Sequence, residues 1–145
     1  MVLSGKEVGS KVAIIGGGSV GVETAEFLAD RGKKVTIIEM LERVATDLGP
    51  VVRMFQKQRL ADNGIEIILG AKVSEIRDGE VVFVRGERAE TVLADSVVIA
   101  VGYESGDGFG NIVRTNIPTH FIGDCRESGA LLEAIHEGSL TGRMV

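Results

Sequence analysis

The sequence predicts the α/β class, a parallel sheet flanked by helices, and three observations carry that expectation. Short aliphatic runs recur at 11–15, 34–38, 65–69 and 97–101, each stopping at a glycine or an acid. Between the first two runs the apolar period lengthens from that of a strand to that of a helix. Glycine, 20 of 145 residues, clusters where the first run ends.

The first run, Lys11-Val-Ala-Ile-Ile15, is a strand buried on both faces. From Ser19 to Asp30 a helix follows, in which Val20, Thr24, Phe27 and Leu28 fall within about 100° of arc. Gly32 stops it, and Lys34-Val-Thr-Ile-Ile38 is the second strand, ending on Glu39. Two strands joined this way through a helix are parallel. A second helix is expected from about Asp47 to Asn63, with Asp47 as its cap, Pro50 in its first turn and Gly64 past its end. Its apolar face is Leu48, Val51, Val52 and Phe55.

After a third strand at 65–69 the pattern turns antiparallel. Runs at 72–77 and 80–84 flank Asp78-Gly79, a hairpin signal, and a turn around Gly86 leads into 89–93. The third crossover is therefore a β-meander, and a fourth buried strand, 97–101, closes the sheet before Gly102. Residues 104–116 read as a loop, 118–122 as a short strand, and a last helix begins near Ala130. That helix is still running, or nearly so, when the sequence stops at Val145, an ending that reads as a cut in a longer chain.

Composition narrows the function. Hydrophobic residues at 44% and charged residues at 26% suit a soluble domain. A net charge of −5 with no basic tract argues against nucleic acid or an anionic membrane as partner. No apolar run approaches the roughly 18 residues of a membrane span, and no signal-peptide pattern opens the sequence, so a cytoplasmic location is expected. Cys125 is the single cysteine, which excludes an internal disulfide and a Cys-x-x-Cys pair. It reads as a small buried apolar residue rather than a reactive thiol. His120 and His136 stand alone, and no metal site is expected.

The informative stretch is Gly16-Gly17-Gly18-Ser19-Val20-Gly21, which satisfies G-x-G-x-x-G between a strand and a helix. In such a loop Gly16 makes the tight turn, Gly18 lets a pyrophosphate approach the backbone, and Gly21 brings helix and sheet together. The helix N-terminus then faces the phosphates. Glu39, 18 residues beyond Gly21, is placed to accept hydrogen bonds from the adenosine ribose, which favours NAD(H) over NADP(H). Glu23 has two readings, a favourable charge near the helix N-terminus or a residue lining the nicotinamide side. Arg43 has two as well: a solvated surface charge, or a cation over the adenine that could also reach a 2′-phosphate.

Several motifs resemble one family. Val12-Ala-Ile-Ile-Gly-Gly-Gly-Ser-Val-Gly-Val-Glu-Thr-Ala-Glu-Phe-Leu28 is similar to the NAD(P)-binding motif of flavoproteins with two dinucleotide-binding domains, the pyridine nucleotide-disulfide oxidoreductase type. The meander and Val98-Ile-Ala-Val-Gly-Tyr103 resemble that family's third crossover and its return toward the FAD domain. Phe121-Ile-Gly-Asp-Cys125 and Leu132-Glu-Ala-Ile-His-Glu-Gly138 resemble the second FAD motif and its helix. The tail is similar to the old yellow enzyme-like branch, which includes 2,4-dienoyl-CoA reductase, 2-enoate reductase and trimethylamine dehydrogenase.

The resemblance implies a Rossmann-like domain over 1–103 and part of an FAD-binding domain over 104–145. It implies nucleotide contacts from Gly16, Gly17, Gly18, Ser19, Val20, Gly21, Glu23, Glu39, Met40, Arg43, Ala100, Val101 and Gly102, and flavin-side contacts from Gly123 and Asp124. His136 would help shape the flavin side of the last helix. NAD would be the cofactor of this chain, NADP less so, and FAD would belong to the intact parent. Only one G-x-G-x-x-G is present, and Met1 ahead of Val2-Leu3-Ser4 reads as a start placed at a domain boundary. The expectation is therefore a module of an NAD(P)H:flavin oxidoreductase, partnered by the rest of that flavoprotein and inactive alone. A domain that holds ADP or NAD without catalysis is the alternative.

Overall fold

The computed structural model describes residues 7–102, 119–129 and 131–144. The chain divides into two units, Met1–Gly102 and Tyr103–Val145.

The first unit opens with β1 (Lys11–Ile15), α1 (Ser19–Ala29) and β2 (Lys34–Ile38), then α2 (Pro50–Asp62) and β3 (Glu66–Ile68). β4 (Ala71–Arg77), β5 (Glu80–Arg85) and β6 (Arg88–Leu93) follow as a meander, and β7 (Ser96–Ile99) completes it. β3, β2, β1 and β7 lie in that order in one parallel sheet, with Val12 beside Val35 and Ser96. β4, β5 and β6 form a separate antiparallel sheet. This is the Rossmann-like arrangement with a meander as third crossover that the sequence predicts.

Alternation along β1 divides the core. Val12 and Ile14 point to one face, where they pack with Val22, Ala25 and Leu28 of α1 and Leu60 of α2. Ala13 points to the other, where Ile38 and Ile68 meet Val81 and Phe83 of the meander. β1 and β2 are covered on both faces, which is why they read as unbroken aliphatic runs, whereas the edge strand β7, expected to be buried over 97–101, is only partly covered and leaves Ile99 and Val101 exposed. The β1 and β7 ends are fastened by Asp95, whose Oδ2 accepts the N–H groups of Ser10 and Lys11 at 3.0 and 2.9 Å.

Three expectations are corrected. α1 buries Gly21, Val22, Ala25, Glu26 and Leu28, whereas Val20 is 45% exposed. Leu28 is buried as expected, but the buried face is rotated to include Gly21 and Ala25, whose small size lets the helix approach the sheet. α2 begins at Pro50 with Gly49 as its cap residue and no side-chain cap bond, since Asp47 is engaged elsewhere. Its expected apolar face is exposed at Val51, Val52 and Phe55, and Leu60 alone is buried.

In the second unit, the 3-10 turn Gly123–Cys125 precedes α3 (Leu131–Met144). Glu137 of α3 accepts the Gly123 N–H at 2.7 Å and pairs with Arg126. Residues 119–122 are irregular rather than a strand, while Pro118, the loop 104–116 and Ala130 lie outside the described residues. No helix among the described residues is long and apolar enough to cross a membrane.

Candidate functional site

The loop between β1 and α1 sits at the carboxyl ends of the strands, where the sheet order turns from β2 on one side of β1 to β7 on the other. Open α/β sheets bind ligands at that switch point. Packing dictates most of the loop's glycines. Gly16 has φ +101°, and a Cβ there would stand 2.3 Å from the Ala100 carbonyl oxygen. A Cβ on Gly21 would fall 2.0 Å from the Gly16 oxygen, and one on Gly17 2.7 Å from Val44 Cγ1. Gly18 differs. A Cβ there would make only ordinary contact with the Asp47 carboxylate oxygens, at 3.9 and 4.0 Å, so this glycine is not required by packing and its flank is bordered by Asp47.

The loop is held from the side of β2. Gly16 N–H donates to the Ile38 oxygen at 2.9 Å, and Ala45 N–H donates to the Gly17 oxygen at 2.6 Å. Glu39, 7% exposed, accepts from Gly17 N–H through Oε2 at 2.5 Å and from Leu41 N–H through Oε1 at 2.8 Å. Its carboxylate thus fixes the position of the loop from the tip of β2.

The first N–H of α1 is also taken. Ser19 N–H reaches both oxygens of Asp47, at 3.1 and 3.0 Å. Burial pushes the Asp47 carboxyl up, but hydrogen bonds from the Ser19 side chain and backbone and from its own N–H outweigh it and hold the group below its ordinary range. The N–H groups of Gly18 and Val20, by contrast, have no acceptor among the described residues. Two backbone donors at the positive end of a helix, beside a glycine that packing does not require, form a surface suited to an anion.

Of the predicted residues, the structure brings together Gly16 to Gly21, Glu39 and Ala100, whose N–H donates to the Ile15 oxygen at 2.8 Å. Val101 and Gly102, the latter at φ +106°, run on exposed from the end of β7. Met40 is 65% exposed past the tip of β2, and Arg43 is exposed with no ion pair among the described residues. Glu23 is exposed on α1. Gly123 and Asp124 belong to the second unit, where Asp124 Oδ1 accepts the Gly129 N–H at 3.3 Å. The residue that sequence reasoning misplaced is Asp47. Its partner lies 28 positions away, and no local pattern links the two.

A family model described as pyridine nucleotide-disulphide oxidoreductase matches residues 2–128. The chain belongs to that family. It is 36% identical over 146 residues to an NADH oxidase from Thermoanaerobacter brockii, covering 94% of this chain and 22% of that protein. It is 37% identical over 141 residues to a cinnamate reductase from Clostridium sporogenes, covering 93% of this chain and 21% of that protein. A solved 2-naphthoyl-CoA reductase superposes with a TM-score of 0.87 at 29% identity, over 99% of this chain and 22% of the other. The chain therefore spans about a fifth of the length of these relatives. They agree with the old yellow enzyme-like flavoproteins that the motifs resemble, and with a pyridine nucleotide and FAD as the cofactors.

Proposed function

We propose that this chain binds NAD(H) at the Gly16–Gly21 loop and, within a larger cytoplasmic flavoprotein, positions the nicotinamide for hydride transfer to FAD. The observation that carries the reading is the unengaged N–H groups of Gly18 and Val20 beside a glycine that packing does not require. A pyrophosphate suits the place because backbone donors and the helix dipole meet it, with Asp47 the one side chain at the Gly18 flank.

Glu39 holds the loop and still has an unused lone pair on each oxygen, enough to accept a ribose hydroxyl. Its charge opposes a 2′-phosphate, so NAD(H) is preferred. Met40 and Arg43 flank the adenosine end, while Glu23 and Ala100 to Gly102 line the nicotinamide side. Gly123 and Asp124 serve the flavin side. When bound, NADH supplies the hydride and FAD accepts it; the residues of this chain bind and orient.

Calorimetric titration of the chain with NADH and NADPH tests the binding half. NADH should bind saturably and more tightly than NADPH, and Glu39→Ala should narrow the gap. Equal or tighter NADPH binding contradicts the preference, and no saturable heat from either contradicts the reading. Rapid mixing of NADH with the intact flavoprotein tests the other half. Bleaching of the flavin band supports hydride transfer, whereas binding without bleaching identifies a domain that holds the nucleotide without catalysis.

A further inference from the structure

We infer that Asp47 is a built-in competitor for the dinucleotide phosphate, an acidic side chain whose charge sets how tightly the loop takes its ligand. The inference deepens the dinucleotide reading and rests on it. Both oxygens of Asp47 lie within hydrogen-bond distance of Ser19 N–H at the first residue of α1, and they border Gly18, 3.9 and 4.0 Å from where its Cβ would stand. A carboxylate and a phosphate seek the same things there, an N–H donor and the positive end of a helix. Ser19 N–H is already shared by both oxygens of Asp47, so a phosphate gains little from it, and the two like charges repel across Gly18. The phosphate must either displace Asp47 or bind beside it against that repulsion.

The contact is built by the chain leading to it. Two residues earlier, Ala45 is fully buried and its N–H donates to the Gly17 oxygen at 2.6 Å. Ala45 holds φ +54°, a left-handed conformation that a side chain disfavours. The segment after β2 is therefore turned back upon the glycine loop. The result leaves α2 with no side-chain cap bond of its own, although Asp47 stands two residues before its cap residue, Gly49. Arg43, the nearest cation in sequence, makes no ion pair among the described residues, so no ion pair there neutralises the carboxylate.

The inference is tested by titrating the 145-residue chain and its Asp47→Asn and Asp47→Ser variants with NADH, ADP and adenosine. Asparagine keeps the shape and an acceptor oxygen, and serine keeps a capping oxygen, while both remove the charge. Either variant should tighten NADH and ADP about tenfold, a coupling of ordinary size between two events at one site. Adenosine, which has no phosphate, should bind the variants and the parent chain alike. Unchanged or weaker NADH binding in a variant that keeps its melting temperature overturns the role of Asp47 and leaves the dinucleotide reading standing. Equal gains for adenosine and ADP also overturn it, since the effect would not then act through phosphate. Absence of saturable NADH binding in all three chains overturns both readings together.

Discussion

At the scale of single residues, Gly18 and Gly21 perform separable tasks. A side chain at Gly18 meets nothing closer than 3.9 Å, and its backbone, φ −68° and ψ 179°, is open to any residue. Gly18→Val should therefore abolish nucleotide binding while shifting the ligand-free melting temperature little. A thermal melt with and without NADH shows both, and ligand-induced stabilisation surviving in the variant would place the phosphate elsewhere. Gly21→Ala should cost about 1–3 kcal/mol of stability, because its Cβ is driven into backbone rather than into solvent. Asp47 adds a pH signature. Its folded pKa lies below the ordinary 3.8, so its stabilising contribution is complete above that value and is lost as pH falls through the folded pKa. An acid titration of Asp47→Asn should lack that part of the acid limb, and identical limbs would show that the contact with Ser19 does not persist in solution. The packing roles of Gly16 and Gly21 were legible in sequence because strand, glycines and helix lie in one short span. The Asp47 contact was not, because it depends on how the segment after β2 folds back.

At the scale of elements, α1 shows why a hydrophobic stripe can misplace a helix. The expected stripe runs through Val20, Thr24, Phe27 and Leu28, whereas the buried face carries Gly21, Val22, Ala25 and Leu28, so the two share Leu28 and differ where Gly21 and Ala25 let the helix approach. Close packing selects for smallness, which a hydropathy pattern does not register. The same face carries an acid that sequence gives no reason to bury. Glu26 is 6% exposed, and its Oε2 meets Arg59 of α2 at 3.1 Å while Oε1 has no hydrogen-bond partner. Arg59→Ala strands that carboxylate and should lower stability by about 1–3 kcal/mol. Adding Glu26→Gln to the same chain should recover part of the loss in a denaturant melt. A loss below a few tenths of a kcal/mol would mean that water already solvates Glu26. The central strands were easier to read. β1 and β2 are buried on both faces, so their aliphatic runs need no phase to be recognised, and Gly79 at φ +83° sits in the hairpin where its sequence neighbours place it.

At the scale of the whole molecule, the meander covers the face of the parallel sheet opposite the helices, and the glycine loop opens at the end of that sandwich. The sequence holds one glycine loop of this kind, which on the proposed function is taken up by a single dinucleotide. Incubated with FAD and desalted, the chain should retain no stoichiometric flavin and should not oxidise NADH at enzymatic rates with an artificial acceptor. Retained flavin in the visible spectrum would contradict that assignment. The central claim is that the nucleotide enters at the loop itself, and amide NMR tests it most directly. On titration of the ¹⁵N-labelled chain with NADH, the amides of Gly17, Gly18, Val20, Gly21 and Ala100 should shift saturably, and Gly18→Val should erase those shifts. Shifts confined to other parts of the chain, or none at all, would contradict the account.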